Sequence, residues 1–271
     1  MIQATAIVCV KNEGKNLPNS LPPLIKKFAE VIVVDSHSTD GTGKIATDLG
    51  VKVHQFSWNN QYPKKRQWVL DNLDLKHNWV FMCDADEIIT DNFTRELSTI
   101  DWDADGYFVK SDMVWHGKRL KFGMKNNKLC LFKKSAFEYP VVDDLNIDGM
   151  GEIEGHYQPI ATQDSVIIKD IKSPIIHDDK KGDWFNRHDQ YTKWEIEMNA
   201  REVWPIDPIH HRELIKDAIR TSPLRPYIVF IYSYILKAGF MDGMAGFNYA
   251  MARSRYTYNI VHAIQQTNDG R

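Results

Sequence analysis

The first hundred residues alternate between short apolar runs and stretches with apolar side chains at helical spacing. Apolar runs of this length, without a polar residue at every second position, are typical of strands covered on both faces. The runs cover residues 4–10, 31–34, 51–56 and 79–83, and the helical stretches between them cover residues 17–28, 45–49 and 65–73. This alternating order predicts an α/β fold, with a mostly parallel central sheet, right-handed crossovers and flanking helices.

The pattern changes after residue 105. Shorter strands are predicted over residues 106–111, 128–132 and 165–170, and an amphipathic helix over residues 184–201. Four prolines between residues 205 and 226 then indicate a boundary near residue 205. We therefore expect a domain over residues 1–205, with halves at 1–105 and 106–205, and a C-terminal helical segment over residues 206–271.

The charge is unevenly distributed along the chain. Lys and Arg number 34 and Asp and Glu 36, a net charge of −2 that gives no indication of nucleic-acid binding. Residues 210–256 nevertheless carry seven basic and three acidic side chains. They also contain an aromatic, apolar run over residues 227–236, which is too short to span a membrane. We favour an interfacial helix on an anionic membrane surface over a helix buried against the sheet.

Acidic side chains follow three of the four predicted strands in the first half. Glu13 comes after the first strand, Asp35 ends the second, and Asp84, Asp86 and Glu87 follow the fourth. Because the carboxyl ends of parallel strands meet at one edge of the sheet, these acids should lie close together. Converging carboxylates repel one another, and a divalent ion such as Mg²⁺ or Mn²⁺ would compensate them. The alternative for Asp86 or Glu87 is the capping of a helix.

These residues and their spacing resemble glycosyltransferase family 2, which has the GT-A fold. The resemblance rests on K-N-E at residues 11–13, V-D-S-H-S-T-D-G-T at 34–42, D-A-D-E at 84–87 and G-F-M-D-G-M-A-G at 239–246. The first, third and last of these motifs look most like the branch that includes bacterial lipopolysaccharide core β-1,4-glucosyltransferases. The resemblance implies that residues 1–205 form a GT-A catalytic domain. Its first half would bind the nucleotide and its second half the acceptor.

The family also implies roles for the donor-binding residues. Asp35 would accept the N3–H of a uracil ring, a donor group that suits a strand-end carboxylate. The other implied roles are Glu13 at the edge of the nucleoside pocket, Asp84 at the ribose or a metal-bound water, Asp86 at the Mn²⁺ or Mg²⁺ ion, Arg66 at a phosphate, and His177 at the metal or the diphosphate. His177 could equally be structural. Lys64 and Lys65, which directly precede Arg66, are expected to be solvated.

Transfer with inversion also needs a general base to deprotonate the acceptor hydroxyl. Relatives carry this carboxylate in a V-H-E-x-x-x-x-x-G stretch, and residues 141–149 have the same spacing. Asp143 then stands at the position of the glutamate, with Val142 in place of the histidine. Asp144 is the second candidate and Asp148 the third.

Together these features predict an inverting, metal-dependent hexosyltransferase that uses a UDP-sugar, with glucose favoured. The expected acceptor is a saccharide or lipid-anchored saccharide of bacterial envelope glycan or lipopolysaccharide synthesis. The expected location is cytoplasmic, peripheral on the inner face of the cytoplasmic membrane. A sugar nucleotidyltransferase is less well supported, because the loop over residues 11–17 has one glycine and an acid rather than a glycine-rich basic loop. A non-catalytic membrane-associated scaffold would not need three acids at strand ends.

Overall fold

The computed structural model describes residues 1–147, 151–152, 154, 157–182, 184–205 and 207–269, and the side chains of these residues up to 266. Twelve strands and eight α-helices are found within these residues. In chain order they are β1 (Ile2–Val10), α1 (Leu17–Lys27), β2 (Phe28–Asp35), α2 (Thr42–Asp48), β3 (Lys52–Gln55), α3 (Lys65–Asn72), β4 (Trp79–Asp84), β5 (Glu87–Ile88), α4 (Asp91–Leu97), β6 (Gly106–Trp115), β7 (Lys118–Arg119), β8 (Asn126–Lys133), β9 (Phe137–Glu138), β10 (Ile160–Ala161), β11 (Ile168–Asp170), β12 (Ile175–His177), α5 (Trp184–Arg201), α6 (His210–Ile219), α7 (Arg225–Ile231) and α8 (Met244–Asp269).

The main sheet has the strand order β3-β2-β1-β4-β8-β6-β12-β5, and β7 and β11 also pair with β6. The strands β3, β2, β1 and β4 run parallel, as the alternating pattern predicted. Beyond β4 the sheet becomes mixed, because β8 is antiparallel to both β4 and β6. The predicted α/β class is confirmed, and the carboxyl ends of β1, β2 and β4 do meet at one edge.

The apolar runs of the first half form the core around these parallel strands. Ile7 and Val8 of β1 have no exposed surface although they point to opposite faces, so both faces of the sheet are covered. On one face Leu21 and Leu24 of α1 are fully buried, and Phe28 stacks on Phe81 with ring centroids 5.4 Å apart. Burial on both faces explains why these strands lack a polar residue at every second position.

The C-terminal segment is held against the loop between β7 and β8 by hydrogen bonds that backbone amides of this loop donate. Phe122 N donates to Asp242 Oδ2 over 2.8 Å, and Gly123 N donates to the carbonyl of Lys237 over 2.8 Å. Close approach of the backbone at Gly246 requires glycine, because a Cβ there would lie 2.0 Å from the Gly239 carbonyl oxygen. The glycines of the G-F-M-D-G-M-A-G motif therefore position α8 against the rest of the molecule.

The apolar run over residues 227–236 has one buried and one exposed side. It forms α7 and a π-helical turn, Tyr232–Leu236, in which Val229 and Ser233 are buried. Ile231 and Ile235 are half exposed. None of the described helices combines the length and hydrophobicity that crossing a bilayer requires.

Candidate active site

A cleft of about 480 Å³ opens where the carboxyl ends of β1 and β4 meet the first turn of α3. Its floor carries three of the predicted acids, Glu13, Asp84 and Asp86. Its walls include Arg66, His177, and residues from α5 and α8. The structure therefore brings five of the predicted site residues together in one cavity.

Asp84 lies between two cations in this cleft. Arg66 Nη2 is 2.8 Å from its Oδ1 and Lys128 Nζ is 2.7 Å from its Oδ2. Burial alone raises the pKa of Asp84, but the charges of Lys128 and Arg66 outweigh it and hold the pKa well below its usual range. Glu87 stabilises the turn between β4 and β5, because its Oε2 accepts a 3.0 Å hydrogen bond from Asp84 N. Asp84 is consequently ionised and oriented toward the cleft.

Asp86 and His177 form the candidate metal site. Asp86 is 6% exposed, and its Oδ2 lies 3.3 Å from His177 Nε2 and 3.1 Å from Arg187 Nη1. Its Oδ1 and the Nδ1 of His177 are buried without a hydrogen-bond partner among the described residues. A carboxylate and an imidazole fit Mn²⁺ or Mg²⁺, which readily keeps phosphate and water ligands. No group of three or more metal-ligating side chains occurs in the described part of the chain, so a bound ion would need such outside ligands.

Glu13 and Asp35 lie at the carboxyl ends of the neighbouring strands β1 and β2. Glu13 Oε1 is 2.7 Å from Lys181 Nζ, and burial raises the pKa of this glutamate against the opposing effects of Lys181 and Asn16. Asp35 is 2% exposed and accepts hydrogen bonds from the Ser38 backbone N–H, the Ser38 hydroxyl and the Gln55 amide. A carboxylate has about four lone pairs, so these three hydrogen bonds leave one acceptor position of Asp35 unused, although Asp35 does not line the cleft.

The two candidate bases lie outside this group. The Asp143 side chain is 70% exposed, with Oδ1 3.6 Å from Arg201 Nη1. Asp144 is fully buried and 2.8 Å from Lys64 Nζ. Asp144 also accepts hydrogen bonds from Tyr62 and Tyr157, and Tyr157 lines the cleft. Asp148 falls outside the described residues.

The expectation that Lys64 and Lys65 are solvated is wrong. Lys64 is 0% and Lys65 4% exposed. Lys65 Nζ lies 3.0 Å from Glu152 Oε1 and donates to the Val10 carbonyl over 3.1 Å. Buried lysines are tolerated when each is paired, and both partner acids lie far away along the chain, where sequence patterns give no signal.

Sequence reasoning also missed several side chains that line the cleft. Lys128 comes from β8, Lys181 from the loop after β12, Arg187 from the first turn of α5, and Arg253 from α8. Arg187 links Asp86 to Asp179, with Nη2 2.6 Å from Asp179 Oδ2. No local motif marks these cations, because basic side chains on loops and helices are usually solvated.

Comparisons with known proteins bear on the fold and on the family that the first half of the chain resembles. Residues 5–137 match the family model described as Glycosyl transferase family 2. An uncharacterized glycosyltransferase of Rickettsia felis is 32% identical over 100 residues, covering 37% of this chain and 34% of that protein. A second, from Rickettsia bellii, is 32% identical over 96 residues, covering 35% and 32%. The matched segments thus span between a quarter and about a third of the length of the curated relatives.

Among the solved structures, a mannosyltransferase matches almost the whole chain. The mannosyltransferase PcManGT from Pyrobaculum calidifontis, solved with GDP-Man and Mn²⁺, is 14% identical and has a TM-score of 0.50. The alignment covers 97% of this chain and 87% of that one. The mixed α/β fold, with its curled central sheet, flanking helices and C-terminal helices, is the GT-A glycosyltransferase fold, as predicted.

Proposed function

From the family 2 match over residues 5–137 and the GT-A fold, we propose that this chain is an inverting, metal-dependent glycosyltransferase. The observation that carries the proposal is the single cleft in which Glu13, Asp84 and Asp86 converge among cationic side chains. Paired carboxylates and cations at the carboxyl ends of parallel strands suit a nucleotide diphosphate held with a divalent ion.

The proposed donor site assigns each strand-end group one task. Asp35 accepts the uracil N3–H at its remaining acceptor position, and Glu13 borders the nucleoside. Asp84 faces the ribose or a metal-bound water. Asp86 and His177 would hold Mn²⁺ or Mg²⁺, and such an ion would supply positive charge to the leaving diphosphate. Arg66 adds a fixed positive charge at the phosphates. The mannosyltransferase with the same fold binds Mn²⁺, which supports the metal assignment.

The proposed general base is Asp143, on the strength of its position in the V-H-E-like stretch. Its carboxylate is 70% exposed and therefore open to solvent, and it lies outside the cleft lining. Asp144 is less favoured, because it is fully buried and paired with Lys64. Glu154 is the alternative that the structure adds, because it lines the cleft and burial raises its pKa, against the opposing charge of Arg66.

The donor sugar and the acceptor are proposed from the resemblance alone. We favour UDP-glucose, and a saccharide or lipid-anchored saccharide of bacterial envelope glycan or lipopolysaccharide synthesis. The test is to incubate the protein with UDP-glucose, other UDP-sugars and GDP-mannose, with Mn²⁺ or with EDTA, and to measure released nucleotide. Release from a UDP-sugar only with metal is expected. Release from GDP-mannose alone would contradict the uracil assignment, and release in excess EDTA would contradict the metal.

We further propose that the C-terminal segment binds an anionic membrane, at the cytoplasmic face of the cytoplasmic membrane. Support comes from exposed apolar side chains along α7, the turns after it and α8: Leu224, Tyr227, Ile231, Ile235, Leu236, Phe240, Met241 and Met244 are all at least half exposed. So large a set of exposed apolar side chains is unusual on a soluble surface and suits an interfacial segment. Nearby Arg220 and Arg225 pair with acids of the chain, so the burial of apolar side chains should contribute more to membrane binding than their charge does.

A further inference from the structure

One end of the cleft is formed by residues to which the donor site gives no role. Asn127 lies in β8, Met113 in β6, Trp184 begins α5 and Arg253 comes from α8. In the sheet, β8 and β6 follow β4 on the side away from β2, where Asp35 lies. This end of the cleft is therefore separated from the uracil position by the width of several strands.

Arg253 differs from the other cations of the cleft. Six of the seven Lys and Arg side chains that line it lie within 4.0 Å of a carboxylate: Lys11 and Lys65 of Glu152, Arg66 and Lys128 of Asp84, Lys181 of Glu13, and Arg187 of Asp86. Among the described residues, Arg253 has no such partner. Its Nη2 lies 3.2 Å from the Met124 sulfur, a weak acceptor, and its Nε is buried without a hydrogen bond.

Two further polar atoms at this end have no partner among the described residues. The indole N–H of Trp184, a side chain 9% exposed, donates no hydrogen bond, and the Oδ1 of Asn127 accepts none. Buried polar groups are normally hydrogen-bonded, so a cleft that leaves several unsatisfied points to a ligand. An indole donor and an amide acceptor are complementary to hydroxyl groups, while a guanidinium matches a phosphate or carboxylate.

We propose that Arg253, Trp184 and Asn127 form an acceptor subsite for a saccharide that carries an anionic group. Arg253 binds the phosphate or carboxylate with its fork of N–H donors, and the other two side chains bind sugar hydroxyls. Calling this ligand the acceptor rests on the proposed function. Because Arg253 belongs to α8, the C-terminal segment completes the active site as well as offering its apolar face to a membrane.

The test is a binding titration with the donor end already filled. With UDP and Mn²⁺ at saturation, glucose 6-phosphate, glucuronate and glucose are titrated separately and followed by ligand-detected NMR. At least one anionic sugar should bind about tenfold or more tightly than glucose, the scale of a charge-assisted hydrogen bond. The preferred sugar shows whether the site takes phosphate or carboxylate. Equal binding of all three would overturn the proposal.

Single-residue variants test whether Arg253 is the source of the preference for an anionic sugar. Arg253→Gln should bring the anionic sugar down to the affinity of glucose, whereas Arg253→Lys should keep part of the preference, because the charge remains. Arg255→Gln is the matched control, an exposed arginine two residues along the same helix, and should change nothing. Trp184→Phe should weaken glucose and the anionic sugar by the same factor. An equal loss in the Arg255 variant, or none in the Arg253 variant, would refute the subsite.

The same titration separates this proposal from the donor assignment. Arg253→Gln should leave UDP affinity unchanged, because the proposal assigns the diphosphate to Arg66 and the metal, and Arg253 to the acceptor. A protein that binds no UDP, yet loses the anionic sugar with Arg253→Gln, would refute the donor site and support an Arg253 anion site. A protein that binds UDP but shows no anion preference would refute the Arg253 site alone.

Discussion

The buried pair of Lys64 and Asp144 offers the sharpest test of how the wall beside the candidate active site is held. Both side chains have no exposed surface, and their charged atoms are 2.8 Å apart. Asp144 also accepts hydrogen bonds from Tyr62 O–H over 2.7 Å and from Trp194 Nε1 over 3.1 Å. The pair therefore connects three parts of the chain: the residues just before α3, the segment after residue 142, and α5.

Replacing Asp144 by alanine leaves the Lys64 ammonium buried without its carboxylate. Breaking a buried pair in this way costs about 3–5 kcal/mol, a large part of a total stability of roughly 5–15 kcal/mol. Lys64→Met should lower the free energy of unfolding by less, because Asp144 still accepts hydrogen bonds from neutral side chains. The double variant Lys64→Met/Asp144→Ala removes both charges, so its loss should be smaller than the sum of the two single losses.

The assay is urea unfolding followed by tryptophan fluorescence. Asp143→Asn is the matched control, because its side chain is 70% exposed and its stability should change by no more than about 0.5 kcal/mol. The same control should keep its fold while losing about 10²–10⁴-fold in sugar transfer, if Asp143 is the general base. A loss below about 1 kcal/mol for Asp144→Ala, or additive losses in the double variant, would show that the pair does not hold this wall.

Four other predictions follow from single sites. Asp86→Asn should abolish most metal-dependent turnover without unfolding the protein, and near-normal turnover would contradict the metal assignment. Asp35→Ala should lower UDP affinity by about 1–3 kcal/mol in calorimetry, while equal affinity of the wild type for UDP and GDP would contradict uracil recognition. Burial raises the pKa of Glu154, more than the nearby Arg66 charge lowers it, so its ionised form destabilises the fold as pH rises. Glu154→Gln should accordingly raise the melting temperature at pH 7, with a gain that fades as pH falls through the usual glutamate range; a gain that grew toward acid pH would oppose this. Ile231→Ser with Ile235→Ser should weaken binding to anionic vesicles in co-sedimentation but leave stability unchanged, because both side chains are half exposed; lost stability would indicate a core role.

Much of the fold over residues 1–105 was determined by local sequence alone. Apolar runs of strand length and helical spacing between them predicted β1 to β4 and α1 to α3, and the fold confirms all seven elements within a few residues. The convergence of Glu13, Asp84 and Asp86 followed from the same pattern, because parallel strands place their carboxyl ends at one edge. The end of α2 is also set locally, since Gly50 follows this helix with a left-handed φ of +78°, which glycine adopts without strain.

Only the tertiary structure decided which charges are buried and what they face. Lys64 pairs with Asp144 eighty residues away, Arg187 reaches Asp86 across a hundred residues, and Arg253 enters the cleft from the last helix. The local sequence around a lysine or arginine does not show whether its side chain is solvated, paired with an acid or facing a ligand. Its state depends on desolvation and on partners that long-range packing brings within a few ångströms, and these exist only once the sheet and α5 and α8 have assembled.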